Sequence, residues 1–260
     1  MTPVKRVQLL LVLVALLVGC LNNTTEHRVR ANAFFRGGNY AEALKECDIG
    51  LAGKPDDVGT LILRAKALFE LDRLEESKAD YTRAVALGEG KGKTYMGDAY
   101  LGLAILASRD KDWKEARAEF ERLLSTDPDD VGTRDNLARV CLELGDLPRA
   151  EEHAQFAVAL RGQDEAALFV LGRVLLAEGK LDDAAGAFSR IAAVKPKAPS
   201  GPYGLAMVAA RKGDRGEALE KLGDAIALKV PNPREIADDP AFASLKNDPE
   251  FVRVVALAAK

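Results

Sequence analysis

KDWKEA at residues 111–116, GDLPRA at 145–150, GKLDDA at 179–184 and GDRGEA at 213–218 are one hexapeptide returning every 34 residues. The stretch that holds them, Gly97–Asn232, decides the reading of the whole chain. Two further copies lie upstream, GNYAEA at 38–43 and DRLEES at 72–77, again 34 residues apart. Self-similarity at a fixed period in this range is the signature of a stacked repeat.

Each copy reads as two helices joined by a tight turn. In the fifth, Glu165–Glu178 is apolar-periodic, Gly179-Lys180 interrupts it, and Leu181–Val194 resumes the period. A glycine at such a break suits the positive φ that ends many helices. Pro148 stands in the first turn of a second helix, the helical position proline tolerates best. Two sets of small residues recur. Ala31, Ala65, Ala104, Ala138, Gly172 and Ala206 fall on the first helices, and Ala43, Ser77, Ala116, Ala150, Ala184 and Ala218 on the second. They predict where the helices of a pair touch. Tyr81, Phe120, Phe188 and Leu222 fill the remaining gaps, with Cys47 and Ala154 as smaller members of that set. A single pair cannot bury its apolar face, but stacked pairs can.

On these residues, together with the closing prolines Pro55, Pro128 and Pro196, residues 24–232 closely resemble the tetratricopeptide repeat family. The resemblance implies an all-α fold. It would be a right-handed superhelical solenoid of about six helix-turn-helix repeats, with a C-terminal capping helix. It implies a groove for peptides or proteins, and no catalysis. Three positions depart from the pattern. Asp72 and Lys111 stand where the turn glycine belongs, and Arg215 replaces an apolar residue, which predicts looser packing in the sixth copy.

The copies run 24–57, 58–91, 97–130, 131–164, 165–198 and 199–232. The period fails once: Leu74 and Trp113 are 39 residues apart, not 34, and the excess falls near 88–96 in a Gly- and Lys-rich joint. That joint reads as a tolerated loop insertion or as a hinge. Residues 233–260 form a Pro-punctuated tail. Asp248-Pro249-Glu250 starts a last helix with Phe251, Val254, Val255 and Ala258 on one face. The tail is expected to cap the last core face; the alternative is a second docking segment.

The N-terminus carries a different signal. Lys5 and Arg6 precede an apolar run, Val7–Val18, that is too short to span a bilayer as a helix but fits a secretory leader. Leu17-Val18-Gly19-Cys20 then looks like a bacterial lipobox. The expectation is a signal peptide over 1–19, lipidation at Cys20 and a short tether over 20–23. Two or three acyl chains hold a protein on a membrane where one does not. Leu21 rather than Asp after the cysteine favours the outer membrane, facing the periplasm.

Composition excludes more than it proves. The chain is 48% hydrophobic and 30% charged, an ordinary profile for a packed domain. Its formal charge of −3 becomes −5 once Lys5 and Arg6 leave with the leader, so nucleic acid is a poor partner. His27 and His153 lack metal-ligand spacing and are expected at the surface. Cys47 and Cys141 occupy apolar helix positions and are expected to be buried thiols. Paired carboxylates such as Asp129/Asp130 and Asp182/Asp183 sit at turns and helix starts and read as caps. The sequence calls for no cofactor, no metal and no catalytic residue.

In the resembled family the first helices line the groove. Carried onto this chain, that face comprises Arg28, Asn32 and Phe35, then Lys66 and Phe69, Leu101 and Ile105, Arg139, Phe169 and Arg173, and Tyr203 and Met207. Phe35, Phe69, Phe169 and Tyr203 are binding anchors or inter-repeat packing. Arg28 with Asn32 resembles half of a carboxylate clamp, but Leu63, Asp98 and Gly102 stand where its other members belong. The expected partner is a segment of another cell-envelope protein. The architecture of lipobox, short tether and repeats is similar to the pilotins of type IV pilus systems. Adaptors for peptidoglycan enzymes or for outer-membrane assembly share it.

Overall fold

The computed structural model describes residues 24–88, 96–230 and 233–258. The leader, Cys20, the tether and residues 89–95 of the joint lie outside them. The described residues are helical throughout, with no strand. The chain divides into two compact units after Pro128.

The first unit holds α1 (residues 24–36), α2 (Tyr40–Gly53), α3 (Val58–Glu70), α4 (Leu74–Gly88), α5 (Met96–Arg109) and α6 (Trp113–Thr126). The second holds α7 (Val131–Glu143), α8 (Leu147–Leu160), α9 (Glu165–Ala177), α10 (Leu181–Val194), α11 (Ser200–Lys212) and α12 (Arg215–Ala227). Two 3-10 turns, Pro233–Asp238 and Pro240–Leu245, lead to α13 (Pro249–Ala258). Helices pack in consecutive pairs, α3 on α4, α5 on α6, α7 on α8, α9 on α10 and α11 on α12.

The turn within each pair is built six times in the same way. Residues Gly38, Asp72, Lys111, Gly145, Gly179 and Gly213 all have φ between 58° and 81°. The next N–H reaches back to a carbonyl five residues earlier, as in Asn39 to Phe34 at 2.9 Å and Asp112 to Ala107 at 2.9 Å. Asp112 and Asp214 cap the second helices α6 and α12, and Asp57, Asp130 and Asp164 cap the first helices α3, α7 and α9, each side chain accepting the N–H three residues on. Asp130 is a cap as expected, but Asp182 and Asp183 are not: they lie in the first turn of α10, whose N-cap is Lys180, and Asp182 pairs with Lys212.

Core packing follows the two small-residue sets. Ala31, Ala65, Ala104, Ala138 and Ala206 are fully buried, as are Ala43, Ser77, Ala116, Ala150, Ala184 and Ala218. The polar member is satisfied, since Ser77 Oγ donates to the Ala65 carbonyl at 2.8 Å. The large residues lie in slots that glycines leave open. A Cβ on Gly102 would stand 2.3 Å from the Tyr81 ring. Phe188 lies between Gly172 and Gly204, where added Cβ atoms would stand 2.5 and 2.1 Å from it. Burying that ring contributes about 1.5–3 kcal/mol.

In the second unit the tail closes the stack. Ile236, Phe242, Leu245 and Phe251 are buried with the core of α9 to α12. Rings run in sequence from Phe188 to Phe169, Tyr203, Phe242 and Phe251, with neighbouring centroids 5.5–6.4 Å apart. Arg215 does not loosen the sixth copy through an empty contact. Its guanidinium donates to both carboxylate oxygens of Asp248, at 2.5 and 3.0 Å, and to Glu250 at 3.0 Å. Asp248 also caps α13 through the N–H of Phe251. Hydrogen bonding from Arg215 and from that N–H holds the Asp248 carboxyl down at about 2.

Candidate peptide-binding faces

In the first unit, α1, α3 and α5 together form two adjoining clefts. The first, about 320 Å³, is lined by Arg28, Val29, Asn32, Gly59, Ile62, Leu63, Lys66 and Asp98. The second, about 220 Å³, is lined by Phe35, Lys66, Phe69, Glu70, Tyr81, Asp98, Leu101, Gly102 and Ile105. Lys66 and Asp98 belong to both, joined at 2.8 Å from α3 to α5.

Arg28 is held from behind. Its Nη1 donates to Asp57 Oδ2 at 3.0 Å, and the same oxygen accepts the Thr60 hydroxyl at 2.7 Å and the Thr60 N–H at 3.1 Å. Burial works to raise the Asp57 carboxyl, but the Thr60 hydroxyl and Arg28 outweigh it and hold it below the ordinary range. Gly59 leaves room for the guanidinium, since a Cβ there would lie 2.7 Å from Nη1. The N-cap of α3 thus also orients a cation into the first cleft.

The second cleft is an apolar cup with a charged rim. Phe69, Leu101 and Ile105 line it, and Ile105 is 40% exposed despite its size. Its depth comes from Gly102, which lets Tyr81 lie low in the wall. All seven residues expected on the groove of this unit (Arg28, Asn32, Phe35, Lys66, Phe69, Leu101 and Ile105) line one cleft or the other. Leu63, Asp98 and Gly102, read in the sequence as groove positions lacking the clamp residues, line the walls too, and Val29, Gly59, Glu70 and Tyr81 join them unannounced. Val29, beside Arg28, is an apolar residue left 65% exposed.

The second unit is built differently. Phe169 and Tyr203 are half-buried and stack at 21°. They join the ring sequence of the core, and part of each ring stays exposed. Tyr203 Oη donates to Asp239 at 3.0 Å, and burial, then that carboxylate, push its phenol well up. Met207 is 2% exposed, so it is a core residue and offers nothing to a partner. Arg139 is exposed and donates to the amide oxygen of Asn136 on its own helix. Arg173 lies 3.9 Å from Glu143, beyond hydrogen-bond reach.

Two further expectations meet the structure here. His27 is not a surface residue: it is 8% exposed, with Nδ1 2.6 Å from Glu46 Oε2 across α1 and α2. Cys47 and Cys141 are buried as expected. Burial first, then the carboxylate of Asp48, pushes the Cys47 thiol up to about 12, far from thiolate chemistry. Among the described residues no three His, Cys, Asp or Glu side chains gather as a metal site, and no helix is long and apolar enough to cross a membrane.

Two family models described as tetratricopeptide repeat match residues 107–155 and 136–202. RNA polymerase II-associated protein 3 of Xenopus tropicalis is 25% identical over 177 residues, covering 62% of this chain and 26% of that protein. The chain thus spans about a quarter of the length of the curated relatives it matches first. Among solved structures, YrrB, a repeat protein with an unusual peptide-binding site, is 26% identical with a TM-score of 0.58, covering 72% of this chain and 93% of that one. PilW, a widely conserved type IV pilus biogenesis factor, has a TM-score of 0.64 at 18% identity, covering 78% and 92%. At that identity PilW shares the fold.

Proposed function

From the chain's place among the tetratricopeptide repeat proteins, we propose that it is a non-catalytic scaffold that holds a segment of a partner protein on the first-helix face of its first unit. The observation that carries this reading is the pair of clefts sharing Lys66 and Asp98. The apolar cup takes a bulky side chain, and the neighbouring cleft offers Arg28, Asn32 and Lys66 to polar groups beside it. A rigid floor of packed helices pre-forms both, which lowers the ordering cost of binding.

The scaffold works at the cell envelope, tethered by acyl chains on Cys20 and facing the periplasm from the outer membrane. The order of charged, apolar and Gly19-Cys20 segments supports this anchor. With the fold shared with PilW, it favours a pilotin-like role in assembling a type IV pilus secretin. The same architecture also serves an adaptor for peptidoglycan enzymes or outer-membrane assembly.

Crosslinked capture from the native envelope, compared between the parent and Ile105→Glu, tests the site. The charged side chain in the apolar cup is expected to weaken capture of the specific partner about tenfold, ~1.4 kcal/mol, at an unchanged melting temperature. Equal capture by both forms would remove the clefts from the reading. A secretin among the partners selects the pilus role, whereas cell-wall enzymes select the adaptor role. Cys20→Ser is expected to leave an uncleaved or soluble form, read by membrane fractionation and lipid labelling.

A further inference from the structure

The charges of this molecule are sorted by helix layer. In the second unit, α7, α9 and α11 carry five basic and three acidic side chains, whereas α8, α10 and α12 carry four basic and seven acidic. In the first unit, α1, α3 and α5 carry six basic and three acidic, against six and nine on α2, α4 and α6. The chain as a whole is acidic, so its first-helix layers are positive against the trend of the sequence.

The second unit gives this excess a register. Arg139 on α7 and Arg173 on α9 stand 34 residues apart, at one repeat position on helices that pack together. Packed helices lie roughly 8–10 Å apart, so the two arginine positions repeat along the face at about that interval. The carboxylates nearby leave both with donors to offer. Glu143 stays 3.9 Å from Arg173, and Arg139 meets the neutral oxygen of Asn136. Of the other two acids of this layer, Asp135 is set partly into the protein with one oxygen buried, and Glu165 is taken by Ser200 and Lys195. Phe169, four residues before Arg173 on α9, stacks with Tyr203, and both rings stay partly exposed.

We propose that this face recognises an acidic segment in the polyproline-II conformation, with two carboxylates three residues apart paired to Arg139 and Arg173. That conformation turns once in three residues and rises ~3.1 Å per residue, so side chains i and i+3 share a side about 9 Å apart. A β-strand places i and i+3 on opposite faces, and an α-helix reaches this distance on one face only at i+7. Arginine's planar fork takes carboxylates in bidentate pairs, and proline rings suit an aromatic floor. The proposal rests on the reading that partners dock on first-helix faces, but not on the clefts of the first unit.

The test is fluorescence anisotropy of the mature chain with labelled Pro-rich nonapeptides bearing two Glu three residues apart, two Glu two residues apart, or two Gln. The i,i+3 peptide is expected to bind at least tenfold tighter than the other two and to weaken as KCl rises. Arg139→Glu with Arg173→Glu is expected to lower its affinity at least tenfold. Arg139→Lys with Arg173→Lys, which keeps the charge and loses the fork, should fall between. Equal affinity for the three peptides, or no effect of charge reversal, overturns the proposal. Vesicles of phosphatidylglycerol form the other arm: binding that needs both arginines, while the peptides stay unbound, assigns the face to lipid and overturns it too. Peptide loss with the arginine variants, together with partner capture unchanged by Ile105→Glu, sinks the cleft reading alone; weakened capture by Ile105→Glu, together with peptide binding unchanged by the arginine variants, sinks this one alone.

Discussion

Lys111 occupies the turn position with φ 59°, a conformation its Cβ makes costly. Four of the six equivalent positions solve this with glycine, while Asp72 and Lys111 accept the strain. An L-residue in this region loses roughly 1–2 kcal/mol, part of which the greater freedom of glycine in the unfolded chain takes back. Lys111→Gly is therefore expected to stabilise by about 0.5–1 kcal/mol, raising the melting midpoint by ~1–3 °C. Lys111→Ala keeps the Cβ and should give no gain, and equal midpoints for all three forms would contradict the account. The repeat alignment alone located this position. The burial of His27 was not legible there, because it depends on Glu46 reaching across from the next helix.

At the scale of the helix pair, bulk is traded between neighbours. Within each unit the equivalent repeat positions couple a small residue on a second helix with a larger one on the next first helix, Cys47 with Leu63 and Ala154 with Val170. Where the second helix carries Tyr81 or Phe188, the next first helix answers with Gly102 or Gly204. Gly204→Ala puts a methyl against a ring that is fully buried and cannot retreat. The expected cost is about 1–3 kcal/mol by denaturant unfolding, although alanine is the better helix former. Pairing Gly204→Ala with Phe188→Leu should recover part of it, and a stabilised single variant would show the slot is looser than it looks. The 34-residue period disclosed every described pair, because small contact residues must recur wherever helices touch. The clefts were half-legible. First-helix residues named their floor, but the walls come from Gly59, Gly102 and Tyr81, whose part follows from packing between copies. Arg215 shows the converse, a lapse from the repeat that became intelligible only when Asp248 and Glu250 stood opposite it.

The whole molecule carries its repeats in two compact units that part after Pro128. The family resemblance foresaw the repeats and the cap. It gave no notice of a boundary there, because the hexapeptide spacing runs across that point unbroken. Charge sorting by layer was equally invisible in a net charge of −3, since opposite excesses cancel in the sum. The boundary has a consequence for anyone watching the protein unfold. Its single tryptophan, Trp113, opens α6 in the first unit, half-buried. Indole emission therefore reports on the first unit, while far-ultraviolet ellipticity sums the helices of both. Should the second unit melt first, the ellipticity would drop while the emission held steady, and the chain would carry its own optical label for telling one half from the other.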